Sequence, residues 1–169
     1  MAAIFAFKCK TCGEVHEGSP SFSYDAPWHY SQLSDDDKSQ AKLSSDACVI
    51  SHPDGADRFI RVVLQIPIHG AEKPFMWGVW VSLSEENFQR YLEKWDTPDE
   101  TETYFGWFCN RLPYYPDTIN LKTTVHPRSG GWRPYIDLDR TGHPLAEDLF
   151  NGITIEQAQA IAEYATHNG

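Results

Sequence analysis

The chain has 169 residues, 41% of them hydrophobic, with 24 acidic side chains against 14 Lys and Arg for a net charge of −10. A chain of that length is expected to fold as one domain and to bury a core without disulfide staples. Nonspecific nucleic-acid binding is driven by Lys and Arg displacing counterions, so this charge excludes DNA and RNA as expected partners. No stretch approaches the roughly 20 apolar residues that cross a bilayer.

The opening MAAIFAFKCK has a short apolar run without a basic segment before it or a cleavage site after it, so no secretory leader is expected. Four cysteines, two of them in a Cys-x-x-Cys pair, suit a reducing compartment better than a disulfide framework. The expected location is cytoplasmic.

FKCKTCGEVHEG, residues 7–18, places Cys9, Cys12 and His16 close together. A tight Cys-x-x-Cys turn points both sulfurs at one tetrahedral centre, as in a zinc knuckle. Gly13 after the second Cys lets such a turn close. A closed structural site takes a full tetrahedral ligand set, so the pair needs further ligands. His16 is the nearest candidate, and Cys48, in an expected strand, would tie the arm to the body. His29 and His52 stay open as ligands. Cys109, in an apolar-rich stretch, reads as a buried thiol. A redox pair would sit at the head of a helix, whereas GEVHEGSP, with two Gly and a Pro, is a poor helix. Two unmetallated thiols in a free arm are the remaining alternative.

After this arm, APWHYSQL (26–33) predicts a short helix opened by Pro27. SDDDKSQAKL (34–43) predicts another, with Ser34 as cap and three Asp on the positive end of its dipole. DACVI (46–50) and RFIRVVLQIPI (58–68) read as strands joined across HPDG in a hairpin. PFMWGVWVSL (74–83) is apolar on both faces and is expected in the middle of the sheet. SEENFQRYLEKW (84–95) is the clearest helix, capped by Ser84, with Phe88, Tyr91, Leu92 and Trp95 in one apolar stripe. The acidic loop 96–103 follows. YFGWFCNRL (104–112), INLKTTV (119–125) and RPYIDLD (133–139) are expected strands, and SGG (129–131) a turn. A capping box between Thr154 and Gln157 announces the last helix, whose buried face is Ile155, Ala158, Ile161, Ala162 and Ala165.

Strands fill the middle and helices flank both ends. The expected fold class is α+β, a single domain with a mostly antiparallel sheet, flanking helices and an N-terminal zinc-knuckle-like arm. The arm covers about residues 5–20 and the body about 21–167 of the single domain 1–169.

CKTCGEVHEG, SDACVI, FIRVVLQIPI, WGVWVSLSEENF, FGWF, NRLPYYPDT, NLKTTVH, RPYIDLD and HPLA together resemble the bacterial domain-of-unknown-function family 2199, over roughly residues 5–165. The resemblance implies a free-standing single-domain bacterial protein and implies no particular activity. It also implies a shared metal-binding role for Cys9, Cys12, His16 and Cys48, and weakens Cys109 as a ligand.

No nucleophile elbow, phosphate-cradling Gly loop or His-Glu-x-x-His motif is present. Asp117, His126, Asp137, Asp139 and His143 are acid–base candidates that read as structural or surface residues. In NRLPYYPDT (110–118), Arg111 precedes Tyr114 and Tyr115, which are held between two prolines. With Trp77, Trp80, Trp107 and Trp132 they could line an aromatic groove in which Arg111 or Arg133 grips an anion, the competing reading being that the tryptophans fill the core. The expected function is therefore a zinc-clipped binding domain for a protein or small-molecule partner, without catalysis. A zinc-dependent hydrolase built on Cys9, Cys12 and His16, or a redox protein using Cys9 and Cys12, are the alternatives.

Overall fold

A computed structural model describes the backbone of residues 6–8 and 15–168 and the side chains of 18–167. Short strands β1 (Ala6–Lys8) and β2 (Val15–Glu17) pair antiparallel, from Ala6 opposite Glu17 to Lys8 opposite Val15. Cys9 and Cys12 lie outside the described residues, as does the side chain of His16.

The body is built on one long antiparallel pair. β6 (Gly55–Ile66) and β7 (Phe75–Leu83) run in register from Arg58 opposite Leu83 to Ile66 opposite Phe75. Ile60, Val62, Leu64 and Ile66 of β6 share a buried core with Phe75, Trp77, Val79 and Val81 of β7. These residues recur at every second position and so share one face of the strands, while Phe59 and Trp80 are buried on the other. β8 (Tyr104–Phe108), β9 (Lys122–His126) and β10 (Tyr135–Leu138) continue antiparallel from β7. β10 then meets β6 in parallel, Tyr135 opposite Val63, and the five strands close into a mixed barrel. Gly106 sits where β8 crosses close to β7: a Cβ there would stand 2.9 Å from the Ser82 carbonyl oxygen.

Extra strands widen the sheet. β3 (Ser21–Ser23) lies parallel to β7, β5 (Ala47–His52) pairs antiparallel with the start of β6, and β4 (Lys42–Leu43) edges β5. Most pairings in the sheet are antiparallel, as expected, but the sheet is mixed. Its two parallel pairs, β3 with β7 and β10 with β6, join strands far apart in sequence, for which no local hairpin signal exists.

Among the described residues there are five helices. α1 (Trp28–Ser31) follows Pro27, which stands at the N-cap instead of the first helical position. α2 (Asp35–Gln40) is shorter than its sequence suggested, because Lys42 and Leu43 leave to pair with β5. In α3 (Glu85–Glu93) Ser84 Oγ accepts from the Asn87 N–H at 3.1 Å, a cap worth about 1 kcal/mol. Its buried face is Phe88 and Tyr91 only; Leu92 is exposed, and Trp95 lies beyond the helix end, where helical spacing no longer returns it to the core. α4 (Pro144–Asn151), not expected from the sequence, buries Leu145 and Ala146. α5 (Ile155–Asn168) has the expected capping box, with Thr154 N donating to Gln157 Oε1 at 2.9 Å and Gln157 N to Thr154 Oγ1 at 3.1 Å. Its Ala158, Ile161, Ala162 and Ala165 join the main core as expected.

A second, smaller cluster on the other face of β5, β6 and β7 holds Cys48, Ile50, Phe59, Trp80 and Cys109, packed against Tyr24, Tyr30, Leu33 and Ala41.

A candidate binding cleft

The segment PRSGGWRP, residues 127–134, folds back on itself. Pro127 and Pro134 are buried at its base, and Arg128 Nε donates to the Arg133 carbonyl oxygen at 2.8 Å. The Pro134 carbonyl accepts from the Val63 N–H at 2.9 Å, which anchors the loop to β6. At the tip Gly130 and Gly131 both have φ near +79°, a left-handed conformation open to glycine at little cost. Trp132 follows them and is 67% exposed.

Facing this loop are the end of α3 and the acidic segment 96–103. Ser129 N donates to Glu100 Oε1 at 2.8 Å and joins the two. Glu102 organises the facing wall: Arg90 Nε donates to both its carboxylate oxygens at 3.0 Å, Lys94 Nζ to Oε1 at 2.8 Å, and the Tyr104 hydroxyl to Oε2 at 3.1 Å. These donors, Arg90 first, pull the Glu102 carboxyl down to about 2. Burial, and the hydrogen bond to Glu102, push Tyr104 up to about 12. Asp99 Oδ1 accepts from Thr101 N at 2.9 Å and Thr101 Oγ1 at 2.6 Å, which lowers its carboxyl.

Between these walls lies a cleft of about 480 Å³, with Val63 and Gln65 of β6, Met76 of β7, Tyr91 and Tyr104 in its lining. That volume suits a small organic ligand. Trp95 and Trp132 also line it, and both are exposed. Its cations differ in their company. Lys94 is held by Glu102, and Arg133 Nε by Asp46 Oδ1 at 2.8 Å. Arg128 has its guanidinium 5.8 Å from the Trp132 ring and 5.7 Å from that of Tyr135. Among the described residues no carboxylate forms an ion pair with it, and burial lowers its pKa.

Of the residues singled out from the sequence, Arg133 lines this cleft, whereas Arg111, Tyr114 and Tyr115 belong to the β8–β9 connection. Arg111 Nη1 pairs with Asp117 Oδ1 at 2.9 Å, and its guanidinium lies 4.7 Å from the Trp28 ring. Tyr115 is partly buried and donates to Asp148 Oδ2 at 2.7 Å; its hydroxyl is raised mainly by burial. Tyr114 is exposed, with φ 78°, its ring 6.0 Å from that of Tyr164. Trp77 and Trp80 are core residues, while Trp107 and Trp132 are exposed.

The acid–base candidates fall into two groups. His143 caps α4: its Nδ1 accepts from Leu145 N at 3.1 Å, which leaves Nε2 to donate to the Asp117 carbonyl oxygen at 3.0 Å. Both nitrogens are thereby used structurally. His126 Nε2 lies 2.8 Å from Asp137 Oδ2, with its ring stacked 4.5 Å from Tyr135. Asp139, after β10, is exposed.

Cys48 is fully buried in the smaller cluster, and burial pushes its thiol up to about 11. Cys109 is likewise buried and is raised to about 12, with Sγ 3.1 Å from the Trp107 carbonyl oxygen. Among the described residues no group of three or more His, Cys, Asp or Glu side chains is placed to hold a metal ion.

Sequence reasoning missed Arg128 and Trp95. The signal for the first lay in the loop's two bracketing prolines and its Gly-Gly-Trp tip, the same pattern of prolines around aromatics that drew attention to Tyr114 and Tyr115.

The network around Glu102 carries a pH dependence. Its carboxyl is lower folded than unfolded, so its contribution to stability is fully present above the ordinary carboxylate value near 4.5 and is lost as pH falls toward about 2. In Glu102→Gln that part of the acid destabilisation should be missing. Stability measured by denaturant from pH 6 to pH 2 should therefore fall less steeply in the variant than in the parent.

A family model described as "Uncharacterized protein conserved in bacteria (DUF2199)" matches residues 8–153. No curated protein and no solved structure matches the chain. Among the described residues no helix is long and apolar enough to cross a membrane.

Proposed function

The chain belongs to the bacterial family DUF2199, and from that premise we propose that it is a cytoplasmic binding domain which meets its small-molecule or protein partner at the cleft between residues 94–104 and 127–134. The observation that carries this reading is the pair of exposed tryptophans, Trp95 and Trp132, lining one concave site. Aromatic rings left in water at a cleft are characteristic of ligand contacts. The net charge of −10 keeps nucleic acid out of the proposal. Catalysis has less support. His126 and Asp137 form an acid–base pair, but among the described residues no Ser, Thr or Cys side chain is hydrogen-bonded to it.

The test is a fragment screen read on the indole N–H signals of the full ¹⁵N-labelled chain, with Trp95→Phe and Trp132→Phe assigning the two resonances. Fragments that bind are expected to move both signals together. Binding that moves neither, or moves only signals of other residues, sinks the cleft as the site.

The same proposal includes a structural zinc held by Cys9 and Cys12, with His16 as the nearest third ligand. Zinc would cross-link the arm to itself or to the body and so stabilise folding. The chemistry of two thiols and an imidazole fits zinc, while the surroundings of Cys48 fit a protonated core thiol. Elemental analysis of protein purified without added metal should find about one zinc per chain, absent from Cys9→Ser. Loss of zinc in Cys48→Ser as well would add Cys48 to the ligand set. A metal-free parent whose Cys9 and Cys12 oxidise to a disulfide would favour the redox alternative.

A further inference from the structure

Resting on the cleft reading above, we propose that the ligand is a small anion carrying a flat aromatic ring, its charged group bound by Arg128 and its ring laid against Trp132 and Trp95. Lys94 and Arg133 are each answered by a carboxylate, Glu102 and Asp46, at 2.8 Å. Arg128 is different. Its Nε is spent on the Arg133 carbonyl oxygen, and among the described residues its two Nη groups have no hydrogen-bond partner.

This chain has ten more acidic than basic residues, so a carboxylate for Arg128 would have been easy to supply. Glu100, on the facing segment, accepts from the Ser129 backbone instead. A partly desolvated cation without a counter-charge costs free energy, and an anion in the cleft removes that cost. A guanidinium offers parallel N–H donors that match a carboxylate or a phosphate, so the shared chemistry is a planar or tetrahedral oxyanion.

The second part of the ligand is set by the two indoles. Trp132 is 67% exposed and Trp95 47% exposed, and both line the cleft that contains Arg128. A flat ring can cover an indole face while its acid group reaches the guanidinium beside it. A cleft of about 480 Å³ holds a ligand of one or two rings.

The experiment titrates the full chain with indole-3-acetate and with adenosine 5′-monophosphate, reading the Trp95 and Trp132 indole signals. Indole-3-ethanol carries a ring without charge, and acetate carries the charge without a ring. At least one of the two aromatic anions should bind about tenfold or more tighter than either control, because a hydrogen bond to a charged group discriminates by at least that much. Arg128→Gln should abolish the difference. Arg128→Lys, which keeps the charge and loses the fork, should retain part of it, and unchanged thermal melting should show that both variants fold. Binding of the carboxylate alone assigns the site to organic acids, and binding of the phosphate alone to phosphorylated compounds. Preference below tenfold, or preference that survives in Arg128→Gln, overturns the inference. If neutral fragments move both indole signals and neither anion does, this inference fails and the cleft reading stands. If no compound moves them, both fail.

Discussion

Trp77→Ala should destabilise the protein by about 3–5 kcal/mol, among the largest losses a single substitution produces. Trp77 is 1% exposed in the middle of β7, its ring 5.1 Å from that of Phe75 and 5.4 Å from that of Phe22 on the neighbouring β3. Removing it opens a cavity and also breaks aromatic pairs that contribute beyond their buried area. For a domain of this size each kcal/mol lowers the melting temperature by roughly 2–4 °C, so a fall of about 6–20 °C is expected in a thermal melt. Trp77→Phe should cost far less. Among the described residues the Trp77 indole N–H has no hydrogen-bond partner, so the smaller ring removes an unsatisfied donor along with some volume. Equal losses in the two variants would mean that ring volume at this point contributes little.

The second large effect is expected at Asn110, a side chain 2% exposed just beyond β8. Its Oδ1 accepts from the Trp80 backbone N–H at 2.8 Å, and its Nδ2 donates to the Ala26 carbonyl oxygen at 3.1 Å. One amide thus joins β7 to the segment leading into α1, and Trp28 N adds a bond to the Cys109 carbonyl oxygen at 2.7 Å. Asn110→Ala leaves a buried donor and an acceptor without partners, each costing about 1–3 kcal/mol, for a total of roughly 2–6 kcal/mol. Asn110→Leu, close in shape, should lose as much in denaturant unfolding. A leucine variant as stable as the parent would show that the site needs volume and not the bonds.

The parts of this fold that could be read from the sequence are those written in local spacing. Alternation gave the long strand β6, a bounded run apolar on both faces gave β7, and a Ser N-cap followed by two Glu gave α3. The Thr154 and Gln157 pair gave the start of α5 to the residue. What could not be read depends on partners distant in the chain. β3 is three residues long and is held by β7; β10 meets β6 only across Tyr135 and Val63. Neither contact has a signature within its own segment. α4 was missed because His143 is an uncommon cap and its helix is short, though Pro144 at the first position is a signal that could have been used.

The candidate site divides in the same way. Arg133 and Trp132 were named from the sequence, but their setting depends on Asp46 and on the segment after α3. Arg111 carries the same chemistry as Arg128 and lies as close to aromatic residues in sequence. Only the fold shows that Arg111 is neutralised by Asp117 while Arg128 has no such partner among the described residues.

The seam between β10 and β6 has a consequence for how the chain acquires its shape. The strands it joins are separated by the whole of β7, α3, β8 and β9, so loop-closure entropy must be met before that contact can form. During synthesis the β5–β6 and β6–β7 hairpins can form early, but the part of the β6 edge beyond its pairing with β5 stays open until residues 135–138 have emerged. Nascent chains stalled before that point therefore present an unpaired strand edge to one another, and their self-association is the hazard that this order of assembly creates.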